Sequence, residues 1–291
     1  MFPGTHTAMV TPFRRGKVDE DALIKFVRWQ IGEGVDGLVP TGTTGESATL
    51  DLKEHIRVIE IVVKASAGKV KVMAGTGANS TREAIELTQA AQKAGADASL
   101  QVAPYYNKPT QEGLFRHFNA IAQKTRLPIV LYSIPGRCGI EIGVEICRRL
   151  ASSCPNIVGI KESGGTPERV SQLRAALPSR FMILSGDDSM TLPFMAVGAE
   201  GVISVASNVA PREVVHMVKA FVQGKPAVAT KLHARLYPLF RDLFIETNPI
   251  PVKAALAMMG RLQEEYRLPL CEMQAANREK LQKTLRGLGL V

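Results

Sequence analysis

No stretch of about 18 consecutive apolar residues occurs in the chain, so the sequence offers no membrane-spanning helix. The opening Met1-Phe2-Pro3-Gly4-Thr5-His6 lacks the basic-then-apolar order of an export signal, and a soluble, cytoplasmic protein is expected. Cysteine is scarce. Cys138, Cys147, Cys154 and Cys271 contain no Cys-x-x-Cys pair and are too few for a disulfide framework, which fits reduced thiols. Runs of like charge are missing too. The net charge is +9, yet the basic residues are interleaved with acids and show no alternation with aromatics, which argues against nucleic acid as a partner. A solvated basic surface that attracts small anions is the expectation.

What the chain does have is apolar material in a repeating order. With 291 residues and 45% hydrophobic composition it can bury a substantial core. β-branched runs near Thr7–Val10, Gly37–Val39, Val70–Ala74, Ala98–Ala103, Ile129–Ser133, Ile157–Lys161, Phe181–Ser185 and Gly201–Val205 make eight candidate strands. Segments of helical period lie between them, including 21–31, 54–65, 84–94 and 114–124. Ser80-Thr81-Arg82-Glu83 has the form of a capping box, and Thr166-Pro167 that of a capped start with proline at the first helical position. Strand then helix throughout, with no break in composition, predicts a (β/α)8 TIM barrel over residues 1–224. After residue 224 the strands stop. Helical segments at 227–244, 251–259 and 272–285 predict a helical region over 225–291 that covers the barrel flank or forms a subunit contact. An open doubly wound sheet is disfavoured, because no glycine-rich fingerprint follows the first strand. Gly32-Glu33-Gly34-Val35-Asp36-Gly37 spells G-x-G-x-x-G, but it follows a helix and leads into a strand, so it reads as a helix-ending turn.

In such a barrel the chemistry belongs just beyond the carboxyl ends of the strands. Asn156-Ile157-Val158-Gly159-Ile160-Lys161 starts as a buried strand and ends in an amine. A lone lysine at a strand end often snorkels into water. A buried one is more reactive, since burial disfavours the ammonium and the neutral amine attacks carbonyl carbon. After the second strand, Pro40-Thr41-Gly42-Thr43-Thr44-Gly45-Glu46-Ser47 sets hydroxyls between glycines, a pattern that suits an anion or caps a helix beginning near Leu50. Three of the five tyrosines, Tyr105, Tyr106 and Tyr132, fall at the ends of the fourth and fifth strands, where a phenol can relay protons. Arg137 can grip a carboxylate with two donors. Ser185-Gly186-Asp187-Asp188-Ser189 reads as a turn with a helix cap, because no His or Cys stands near to complete a metal set.

The motifs Thr11-Pro12-Phe13, Gly42-Thr43-Thr44-Gly45-Glu46-Ser47, Gly75-Thr76-Gly77-Ala78-Asn79, Pro104-Tyr105-Tyr106-Asn107-Lys108-Pro109, Tyr132-Ser133-Ile134-Pro135-Gly136-Arg137, Gly159-Ile160-Lys161-Glu162 and Asn248-Pro249-Ile250-Pro251-Val252-Lys253 together resemble the dihydrodipicolinate synthase family. These are pyruvate-dependent Schiff-base lyases of diaminopimelate and lysine biosynthesis. The resemblance implies that Lys161 forms an imine with pyruvate and that no other cofactor or metal takes part. It also implies that Thr43 and Thr44 hold the pyruvate carboxylate, and that Tyr132, Thr43 and Tyr106 relay protons, Tyr106 across a subunit boundary. Arg137 would bind L-aspartate 4-semialdehyde, while Gly186 and Ile203 would line the pyruvate pocket with backbone. A homotetramer built from dimers is implied as well. Where members are inhibited by L-lysine, the matching positions are Ser47, Ala48, Leu52, His55, Asn79, Glu83 and Tyr105, with Leu52 standing in place of a histidine. Glu83 is also the second member of the candidate capping box, and His55 also fits a plain helix-surface site. Ser133 and Cys138 depart from the family pattern on the acceptor side, which leaves a related aldolase of N-acetylneuraminate or keto-deoxy-sugar acids as the alternative. A catalytically silent barrel is the reading from another class.

Overall fold

The computed structural model describes residues 2–291. Eight strands form a closed parallel barrel: β1 (Gly4–Ala8), β2 (Gly37–Val39), β3 (Lys71–Gly75), β4 (Ala98–Val102), β5 (Ile129–Ser133), β6 (Ile157–Glu162), β7 (Met182–Ser185) and β8 (Gly201–Ser204). Closure is direct. β1 pairs with β8 through Gly4↔Gly201 to Thr7↔Ser204, and with β2 through His6↔Gly37 to Ala8↔Val39. Helices α1 (Glu20–Gly32), α2 (Leu52–Ser66), α3 (Thr81–Ala94), α4 (Gln111–Ala122), α5 (Val144–Ser153), α6 (Pro167–Ala176), α7 (Thr191–Ala196) and α8 (Pro211–Val222) follow the strands in turn.

Strand side chains alternate between two cores. Ala8, Val39, Met73, Leu100, Val130, Tyr132, Met182, Leu184 and Ile203 fill the barrel interior. Leu38, Val72, Leu131, Ile160 and Ile183 face outward onto the helices. Ile160 is thus spoken for by the outer layer, and Lys161, one residue on, projects inward. There its Cα pairs in register with that of Tyr132.

Local starts and stops follow their side chains. Asp19, Ser80, Thr110 and Thr166 each accept a hydrogen bond from a backbone N–H in the first turn of the helix they precede. The reciprocal capping box sits at Asp51 and Glu54 rather than at Ser80 and Glu83: Glu54 N donates to Asp51 at 2.8 Å, and Asp51 N to Glu54 at 3.2 Å. That box opens α2, so the Gly42–Ser47 turn is free of the capping role. The G-x-G-x-x-G stretch ends α1 as expected, with Gly34 at φ +88° donating to Ile31 O. Two features escape periodicity. β1 begins at Gly4 rather than Thr7, because Thr5, His6 and Thr7 are polar yet buried, Thr7 by donating to Gln30 at 2.7 Å. A two-residue hairpin joins Phe13–Arg14 to Lys17–Val18, with Arg15 and Gly16 both at positive φ as such a turn requires.

Beyond α8, α9 (Pro226–Asp242) packs on α8, and α11 (Ala275–Leu288) packs on α9 and on α10 (Ile250–Met258). The connections on either side of α10 return to the loops that follow β2 and β5. They bring Asn248 and Arg267 to the barrel mouth, and α10 itself brings Lys253 there.

Candidate active site at the carboxyl end of the barrel

Lys161 is 5% exposed, and its Nζ lies 4.1 Å from the centre of the Tyr132 ring. No carboxylate pairs with this amine among the described residues. Gly186 stands against it: a Cβ there would lie 2.8 Å from Lys161 Cε and 1.9 Å from Ser163 Oγ, so only glycine leaves the lysine room. Ile203 is buried in the same interior cluster as Tyr132.

Above this floor opens a cavity of about 330 Å³ whose walls include Thr43, Tyr132, Arg137, Cys138 and Asn248. Lys161, Thr44, Gly186 and Ile203 are not part of its lining; Tyr132, which is, connects the cavity to the lysine. The Gly42–Ser47 turn is held in sparsely populated backbone, with Thr41 at φ +53° and Glu46 at φ +54°. Gly75 permits this, since a Cβ there would meet Thr41 O at 2.5 Å. Thr44 Oγ1 accepts from Asn248 Nδ2 at 3.0 Å, and the main-chain oxygen of Asn248 accepts from an Arg137 guanidinium N–H at 3.1 Å. One residue thus touches both the turn and the arginine.

A buried ion pair, which pattern reading did not single out, fixes the same turn from behind. Lys253 Nζ donates to Glu46 Oε1 at 2.5 Å, with Lys253 fully buried and Glu46 4% exposed. Burial pulls the Lys253 ammonium towards deprotonation, while Glu46 opposes it. Glu46 Oε2 accepts from Arg267 N at 3.2 Å, and the Lys253 ammonium and the Arg267 guanidinium both lie against the Phe13 ring, 4.3 and 4.4 Å from its centre. The only sequence signal was a lysine set among Val252, Ala254 and Ala255, an apolar surrounding that a surface lysine lacks.

The dihydrodipicolinate synthetase family matches residues 1–288. The 4-hydroxy-tetrahydrodipicolinate synthase of Thermodesulfovibrio yellowstonii is 52% identical over 291 residues, covering all of both chains. The chain belongs to this family. Among solved structures, the 4-hydroxy-tetrahydrodipicolinate synthase of Methylacidiphilum fumariolicum SolV superimposes with a TM-score of 0.98 at 55% identity, over 99% of this chain and 96% of that one. The synthase of Cyanidioschyzon merolae with lysine bound gives 0.97 at 43% identity, over 100% of this chain and 99% of that one.

Within this dihydrodipicolinate synthetase fold, a second cavity of about 70 Å³ adjoins the first. Its walls include Ser47, Ala48, Leu52, His55, Glu83 and Tyr105, six of the seven effector positions named from the sequence. Asn79 lies alongside, its amide donating to Tyr105 O at 3.3 Å. Ser47, Ala48, Gly77 and Tyr105 belong to both cavities, so the two share a wall. His55 is not a helix-surface residue. It is buried, its Nε2 is 2.8 Å from Gly75 O, and desolvation lowers its pKa. Glu83 leaves the helix start to Ser80 and lines the cavity instead. Burial, then the Glu83 charge, raises the Tyr105 phenol above its usual range. Tyr106 does not join either cavity: it is 91% exposed on backbone at φ +73°.

Ser133 is buried, accepts from Ile142 N at 3.4 Å and lines neither cavity. Cys138 does line the larger one, but burial pushes its thiol up to about 11, so it stays a neutral donor to Ala103 O rather than a nucleophile. Asp187 forms the expected turn, accepting from Ser189 N at 2.8 Å and Met190 N at 3.3 Å. Asp188 does something else: it crosses to the end of β8, accepting from Ser204 Oγ at 2.5 Å, Val205 N at 3.0 Å and Ala206 N at 2.9 Å, next to Ile203. Burial raises its pKa to about 6, against hydrogen bonds that lower it. The folded state therefore takes up this proton at a higher pH than the unfolded chain, and the Asp188 contribution to stability falls as pH rises from about 4 to 6. Asp188→Asn should remove that part of the slope. Thermal midpoints across this window that fall as steeply as in the wild type would contradict it.

Proposed function

We propose that this chain condenses pyruvate with L-aspartate 4-semialdehyde as a 4-hydroxy-tetrahydrodipicolinate synthase, with Lys161 as the imine-forming amine. The observation that carries the reading is a buried lysine without a carboxylate partner, set over a tyrosine ring beneath a cavity rimmed by Arg137. Nζ of Lys161 adds to the ketone carbon of pyruvate, water leaves, and an imine forms. Loss of a methyl proton gives the enamine, whose terminal carbon attacks the aldehyde carbon while the aldehyde oxygen takes a proton. The amine of the second substrate then adds to the imine carbon and expels Lys161, which closes the ring. Tyr132 and Thr43 stand where these protons pass, and the Thr43-Thr44 turn supplies hydroxyl and backbone donors for the pyruvate carboxylate. Gly186 and Ile203 form the close backbone wall. Arg137 takes the carboxylate of the semialdehyde, which a sugar-acid aldolase would not need there.

Tyr106 fits a shared site. Its exposure and its strained backbone support a reading in which Tyr106 enters the cavity of a second copy, with a dimer as the smallest active unit and a dimer of dimers as the assembly. The deciding experiment measures pyruvate and L-aspartate 4-semialdehyde turnover through NADPH oxidation by an added dihydrodipicolinate reductase. Borohydride trapping with pyruvate alone separates the outcomes: an adduct without turnover means another aldehyde, and no adduct means a silent barrel.

The second cavity binds L-lysine as an inhibitor. Glu83 supplies the charge for an ammonium group, and the wall shared with the larger cavity carries the effect to the turn. Millimolar L-lysine should slow the wild type, and the ratio of rates with and without it should approach one in Glu83→Gln. An undiminished wild-type rate, or full inhibition of Glu83→Gln, would sink this assignment.

A further inference from the structure

A threonine hydroxyl has one proton to give and two lone pairs. In this chain one lone pair of Thr44 Oγ1 is taken by Nδ2 of Asn248, so the hydroxyl proton of Thr44 is turned away from Asn248. Both residues are almost wholly buried, Thr44 at 3% and Asn248 at 5% exposure. The other end of the amide, Oδ1 of Asn248, is buried without a hydrogen-bond partner among the described residues. An asparagine in that state costs stability that an apolar side chain of similar size would not. Packing therefore does not account for it, whereas its single side-chain bond, to Thr44, does. The main chain of Asn248 is anchored separately, through its carbonyl, by Arg137.

We propose that Asn248 is a positioning residue that locks the Thr44 hydroxyl as a hydrogen-bond donor, and so fits the turn to a carboxylate in preference to a neutral or cationic group. The inference rests on the proposed function, in which this turn receives the carboxylate of pyruvate. A hydroxyl free to rotate presents a lone pair to an anion part of the time; one whose lone pair is already occupied presents its proton. Glu46, two residues on, is held by Lys253, so the turn keeps its backbone shape when Asn248 is shortened, and the loss falls on the direction of one hydroxyl.

The test compares wild type, Asn248→Ala, Thr44→Val and the double variant, reading the KM for pyruvate and the fraction of protein labelled by borohydride at saturating pyruvate. Asn248→Ala should raise the KM about tenfold, the effect of a lost bond to a charged group, while labelling at saturation persists. In the Thr44→Val background the same change should move the KM by less than about twofold, because the two residues act as one unit. A KM unchanged in Asn248→Ala, or an equal further rise in the double variant, overturns the inference. Should Asn248→Ala fail to label, Asn248→Asp decides: it keeps the shape but accepts the Thr44 proton, and an unchanged KM there is equally fatal. A wild type that takes no borohydride label with pyruvate would instead defeat the proposed function itself.

Discussion

Lys161→Ala abolishes the borohydride-trapped pyruvate adduct, and turnover falls by at least about 1,000-fold, the scale seen when a covalent nucleophile is removed. The loss is one of chemistry and not of fold. Lys161 holds no buried carboxylate that its removal would strand, and Tyr132, whose ring centre is 4.1 Å from the amine, stays packed in the barrel interior. The thermal midpoint should accordingly remain near that of the wild type. Turnover surviving in Lys161→Ala would place the covalent step elsewhere and remove the basis of the mechanism.

Lys253→Ala produces the opposite profile. The amine of Lys253 contacts no part of the floor at Lys161, yet without it the Glu46 carboxylate is left charged and buried with only the Arg267 N–H for company. Stranding one partner of a buried pair costs roughly 3–5 kcal/mol, and here the cost falls on a turn already in strained backbone. The denaturation midpoint should drop by that order and the KM for pyruvate should rise with it. Removing both charges together is milder: Lys253→Met with Glu46→Gln should recover more than half of the lost stability. A single variant as stable as wild type, or a double variant no better than the single, would show that the pair carries little.

The two residues differ in how far the sequence announced them. A parallel barrel buries both faces of its strands, so its strands read as continuous apolar runs, and an amine at the end of Ile157–Lys161 stands out against them. The same logic draws attention to Tyr132 and to the Gly42–Ser47 turn, both at strand ends, whereas Gly186 stands out only through the family resemblance. Lys253 and Asn248 sit in a helix and a loop whose local pattern is unremarkable. Their meaning lies in bonds to Glu46 and Thr44, some two hundred residues away in the chain, which no local period encodes. Their presence within a family-like motif marked the segment without saying what it touches. Buried polar residues are the hardest to place: Thr5, His6 and Thr7 hide the start of β1, and His55, named as an effector position, fits a helix-surface site equally well until a carbonyl is seen to satisfy it from inside. The sequence alone sets Asp188 with Asp187 in one turn, although its partners are at and just beyond the end of the next strand.

The ties from Asn248, Lys253 and Arg267 back to the turn at residues 42–47 also set an order of events during synthesis. The ribosome makes the turn early and its fasteners late. A nascent chain that has already emitted all eight strands, Lys161 among them, still lacks what holds Thr44 and Glu46 in place. The final shape of the turn is thereby deferred to the last part of translation, and a product cut short after α8 carries Lys161 without the contacts that hold Thr44 and Glu46.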